Sequence, residues 1–166
     1  MKKLLLILLC LPFIGFGQIK RIENTTTQKE IGKLDNILGV MKIIKYDREN
    51  SVEYKISFRN VKYMELNEYS EFNFYETGSD LEDLYLMIMD GFDFEKKGVL
   101  YKHALNYKIY NEIIIDIGKE RRVFLMYGKK GLAPITFKFL YKDEYGTESW
   151  SHWLNRKQIN KLFGKQ

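Results

Sequence analysis

Residues 69–92, YSEFNFYETGSDLEDLYLMIMDGF, decide the fold, because the hydrophobic period changes inside them. Phe72 and Phe74 point one way while Asn73 and Tyr75 point the other, the two-residue alternation of a half-buried strand. After Gly78, Leu81, Leu84, Tyr85, Ile88 and Phe92 recur at helical spacing and predict a helix over 79–91. Ser79, with Glu82 three residues on, predicts a capping box at its start, and Gly91 is expected to stop it.

Upstream, Val52, Tyr54, Ile56 and Phe58 alternate with Glu53, Lys55, Ser57 and Arg59. This predicts a strand paired as a hairpin with the apolar segment 38–46 through Asp47-Arg48-Glu49-Asn50. A further strand region is expected over 62–76. Downstream, strands are expected at 99–106, 108–117, 121–127 and 134–142, punctuated by Ile117-Gly118-Lys119-Glu120 and Gly128-Lys129-Lys130-Gly131. Asp143-Glu144-Tyr145-Gly146 reads as a hairpin turn into a short strand at 147–153. A last helix over about 155–163 starts at Asn155, whose Gln158 completes a capping box. Leu154 and Ile159 are placed for a hydrophobic staple, and Gly164 ends the helix.

Strands then a helix, twice, with Phe72-x-Phe74 echoed by Phe137-x-Phe139, predicts an α+β fold. It is a mainly antiparallel sheet with two helices, arranged as a pseudo-duplicated strands-then-helix unit. In topology alone the stretch 38–163 resembles the Whirly and Pur-type single-strand-binding folds. No family motif residue matches, so the resemblance implies nucleic-acid binding but carries over no site.

The amino end sets an address. MKKLLLILLCLPFIGFGQ has Lys2 and Lys3, an apolar run from Leu4 to Phe16 and a Gly15-Phe16-Gly17 exit. That is the pattern of a secretory signal peptide, and the run is shorter than the about 20 residues that span a bilayer. Cleavage is expected between Gly17 and Gln18, giving a periplasmic or secreted protein with no transmembrane span after cleavage. The leader resembles those of exported Bacteroidota proteins. The expected organisation is signal peptide 1–17, a polar lead-in at 18–36 and one α+β domain at 37–166. Loss of Lys2 and Lys3 would leave 25 basic against 22 acidic residues, an ordinary solubility charge of +3. Cys10 is the only cysteine and lies in the leader, so the mature chain would have no thiol and no disulfide.

No phosphate-binding glycine loop, nucleophile elbow or HExxH is present. His103 and His152 have no second histidine at ligand spacing, and Asp90, Asp93 and Glu95 lack the density of a calcium loop. No catalytic residue, metal ligand or cofactor is assigned. The most suggestive element is Trp150-Ser151-His152-Trp153, which with Tyr145 and Arg156 forms a candidate ligand-binding group able to stack on a sugar or a base or to anchor a protein. The function expected is an exported non-enzymatic binding or structural module of the bacterial cell envelope, partnered by an envelope protein or glycan. The alternative is a single-stranded nucleic-acid-binding module, which export disfavours. Third is a hydrolase whose Asp, Glu, Tyr and His residues meet only in the fold.

Overall fold

The computed structural model describes residues 26–93, 100–103 and 107–165, with backbone alone at 101–103. The leader, its cleavage point, Cys10, Glu95 and the Lys96-Lys97 pair lie outside the described residues.

The first unit is a four-stranded antiparallel meander: β1 (Thr27–Asn36), β2 (Gly39–Arg48), β3 (Ser51–Arg59) and β4 (Tyr69–Tyr75). Helix α1 (Asp80–Gly91) follows. The second unit repeats the plan with β5 (Tyr101–His103), β6 (Tyr107–Asp116), β7 (Arg122–Lys130), β8 (Thr136–Lys142) and β9 (Glu148–Trp150), then helix α2 (Arg156–Leu162). The chain is therefore an α+β fold of two meander-then-helix units.

Each sheet turns one face inward. Met41, Ile43, Ile56, Phe58 and Phe72 of the first sheet share one buried cluster with Val123, Leu125, Tyr127, Phe137 and Phe139 of the second. The echo noted in sequence has a packing role: Phe72 lies 5.5 Å from Phe139 between ring centroids, and Phe58 stacks on Phe139 at 6.5 Å.

The helices pack reciprocally. At the carboxyl end of α1, the Tyr127 hydroxyl of β7 donates to the Met87 and Ile88 carbonyls at 3.3 and 3.1 Å. Helix α2, from the second unit, lies against β1 of the first, so close that a Cβ on Gly32 would fall on the Leu162 and Lys161 carbonyls. The helices also meet each other through the Tyr85 hydroxyl, which donates to Asn160 at 3.1 Å, and through the Tyr85–Phe163 ring pair. Each unit thus supplies a helix that the other unit's sheet needs covered.

Several expectations are corrected. Residues 27–36, read as polar lead-in, form β1; their exposed, charged pattern is that of an edge strand, whose outer residues face water. The strand expected from 62 begins at 69, because Asn60 caps a 3-10 turn at Val61–Tyr63. Ser79 makes no side-chain cap bond; its hydroxyl donates to Asp83 instead, while Asp80 accepts from the Thr77 amide and hydroxyl. Gly91 is the last helical residue rather than a left-handed stop, and it is needed because the Tyr127 ring occupies the space of a Cβ. Gly128-Lys129-Lys130 belongs to β7, and the turn starts at Gly131. The Asn155–Gln158 capping box forms, with Leu154 and Ile159 both buried in the core, and Gly164 adopts φ 68° after α2.

Candidate functional site

The fold leaves the outer face of the second sheet open, since the shared core covers the opposite face of that sheet. Register fixes what it presents. Ile114 lies opposite Phe124, Phe124 opposite Leu140, and Leu140 opposite Trp150, an apolar row across β6 to β9. Alongside runs a charged row, Asp116, Arg122, Lys142 and Glu148, joined by the same pairings. Ile114 is 58% exposed, and Phe124 and Trp150 are half-buried around the buried Met126 and Leu140.

Further along the face, Lys138 sits in an aromatic box. Its ammonium lies 4.1 Å from the Trp150 ring centroid and 4.9 Å from that of Trp153. Trp153 in turn stacks on Tyr107 with centroids 4.7 Å apart and planes within 2°. Gly128 makes room: a Cβ there would stand 3.0 Å from Trp153 Cη2 and 2.9 Å from Ile109 Cδ1. Lys138 is only 3% exposed, and burial lowers its pKa from 10.5 to about 8, against the raising effect of Glu112 and Glu148. The edge at β9 is held by Asn60, which accepts from the Trp150 amide at 3.1 Å, and by Lys62, which pairs with Glu148 at 3.2 Å.

The five candidate ligand residues do not gather. Trp150 and Trp153 reach the outer face together. His152, between them, is buried and turns to the first sheet, where the Asn36 amide donates to its Nε2 at 2.9 Å. Tyr145 is 85% exposed at the tip of the β8–β9 turn. Arg156 starts α2, pairs with Asp93 at 2.6 Å and covers the Phe92 ring. The sequence reading missed Lys138, Asn60 and the Tyr107–Trp153 stack. Only the alternation of Lys138 between Phe137 and Phe139 marks it as facing away from the core.

A second concavity opens where the units meet, between the end of β4, helix α1 and the β6–β7 end. It holds about 410 Å³, within the range of small-ligand sites. Phe72, Phe74, Leu84, Met87, Ile115 and Val123 line it, and Asp80, Asp83 and Asp116 stand in its wall.

Among the described residues no group of three or more His, Cys, Asp or Glu side chains is placed to hold a metal ion, and no helix is long and apolar enough to cross a membrane. Basic residues near the β6–β7 and β7–β8 turns go to separate partners: Arg121 turns to Asn73 at 3.1 Å, and Lys129 lies over the Tyr110 ring. No family model matches the chain, and comparisons with curated proteins and with solved structures find no similar protein.

Proposed function

We propose that the chain is an exported, non-enzymatic binding module of the bacterial cell envelope, and that it docks an envelope protein on the open face of its second sheet. The observation that carries this is the pairing of an apolar row, Ile114–Phe124–Leu140–Trp150, with a charged row of both signs, Asp116–Arg122–Lys142–Glu148. An apolar centre beside charges of both signs suits another protein surface, whereas a polyanion would meet two carboxylates in that row.

The test is a photoreactive residue placed at Ile114, with one at exposed Tyr145 as control, in cells producing the full chain. A single envelope protein crosslinked from 114 and lost on Arg122→Glu is expected. Equal crosslinking from 114 and 145 would overturn the reading.

One observation favours the nucleic-acid reading. Tyr107 lies opposite Lys130, so a lysine stands beside the Tyr107–Trp153 stack, within a fold of two meander-then-helix units. Salt-sensitive binding of a single-stranded oligonucleotide, weakened by Lys130→Glu, would support it over the first.

A further inference from the structure

The groove between the units has a different character from the open sheet face. Its floor is made of side chains from both units: Phe72 and Leu84 of the first, Val123 and Ile115 of the second. Because the two sheets and α1 meet here through the buried core, the walls are fixed before any ligand arrives. Met87 is 38% exposed at the mouth, on the stretch of α1 whose carbonyls hold Tyr127.

The groove's charge is one-sided. Asp80, Asp83 and Asp116 belong to its lining, and the lining contains no lysine, arginine or histidine. Each carboxylate spends one oxygen locally: Asp80 accepts from Thr77, Asp83 from the Ser79 hydroxyl at 2.8 Å and Asp116 from the Gly118 amide at 2.8 Å. None of the three is in an ion pair among the described residues. Glu82, one residue before Asp83 but outside the groove, is paired with Lys165. Arg121, just past Ile117, directs its guanidinium to Asn73 and to the Ile117 and Gly118 carbonyls.

An apolar hollow of this size, bordered by carboxylates and with no lysine, arginine or histidine among the described residues that line it, is complementary to a molecule with a hydrophobic body and a positive head. We infer that the groove is a binding site for a small amphipathic amine, its aromatic or branched body seated against Phe74, Met87 and Ile115 and its ammonium held by Asp80 and Asp83 at the start of α1. The apolar contact supplies most of the affinity, since the carboxylates face water and exposed ion pairs are weak. The carboxylates set the preference for charge.

The probes are 1-naphthylmethylamine and 1-naphthaleneacetate, which share a ring system and differ in the sign of the head. Binding to the full chain is followed through the methyl signals of Met87 and Ile115 by NMR, and by titration calorimetry. The amine is expected to bind at least about fivefold more tightly than the acid at low salt, with the gap narrowing as salt screens the carboxylates. Asp83→Asn is expected to weaken the amine by about two- to fivefold and to leave the acid unchanged or improved. Met87→Trp, at a position 38% exposed, fills the mouth and is expected to abolish both; an unchanged thermal midpoint shows that the fold persists. Equal binding of amine and acid would overturn the assignment of a cationic ligand. Amine binding that survives Met87→Trp, or that leaves the Met87 and Ile115 methyls unmoved, would overturn the site.

Discussion

Asn36 and His152 are 116 positions apart in sequence, and the Asn36 amide donates to His152 Nε2 at 2.9 Å. The Asn36 carbonyl oxygen is committed to the Leu38 amide at 2.9 Å, so its NH2 faces the ring and Nε2 must act as the acceptor. The imidazole is therefore neutral and carries its proton on Nδ1. It joins the β1–β2 turn of the first sheet to the segment between β9 and α2 of the second.

Acid should weaken this joint. Burial holds the His152 pKa below its ordinary 6.5. The unfolded chain then takes up the proton first as pH falls, so the contribution is complete above about 6.5 and is lost as pH drops toward the lowered folded value. Urea unfolding at pH 7.5 and 5.5 is expected to show a loss of stability that His152→Gln reduces. Asn36→Ala is expected to cost about 1–2 kcal/mol at pH 7.5 by leaving a buried acceptor unsatisfied. A His152→Gln protein with the wild-type pH dependence would refute this account.

Lys138 should respond in the alkaline direction. Its ammonium is 3% exposed and its pKa is lowered to about 8. The folded state sheds this proton before the unfolded one, so the burial penalty is complete below about pH 8 and is relieved as pH rises toward 10.5. Stability is expected to rise between pH 7.5 and 9.5 in the wild type and to be flat in Lys138→Met. That variant is expected to be about 1–3 kcal/mol more stable at pH 7. A destabilised Lys138→Met at pH 7 would mean that the contacts with the Trp150 and Trp153 rings outweigh dehydration.

Gly91→Ala tests the reciprocal packing of the helices. The new methyl would occupy the place of the Tyr127 ring, and a loss of about 2–4 kcal/mol is expected from chemical denaturation. Gly91→Ala with Tyr127→Leu should recover part of it relative to the sum of the single changes. Additive losses would show that the two positions do not compete for one space.

The two helix starts should behave differently despite similar sequences. Asn155→Ala removes the side-chain half of a formed capping box, the bond its Oδ1 accepts from the Gln158 amide, and is expected to cost about 1 kcal/mol. Ser79→Ala is expected to cost no more than about 0.5 kcal/mol, because Ser79 caps no backbone amide and its hydroxyl serves only an exposed Asp83. Thermal unfolding of the two variants side by side distinguishes them.

The alternation of Phe72 and Phe74, the helical face from Leu81 to Phe92, the Asp143–Gly146 turn and the Asn155 cap are local patterns, and they determined the order of elements and the α+β class from sequence. Burial follows periodicity, so the inward residues were legible as well. The polar sequence of β1 hid a strand, because an edge strand facing water needs no apolar alternation. What the tertiary structure alone decided is which surfaces meet. Four consecutive residues, Trp150 to Trp153, looked like one site until β9 ended and sent His152 to Asn36 and the tryptophans to the opposite face. The Lys138 box and the groove between α1 and β6 are made by residues brought together across strands and units. Such contacts depend on register and packing, and no spacing along the chain encodes them.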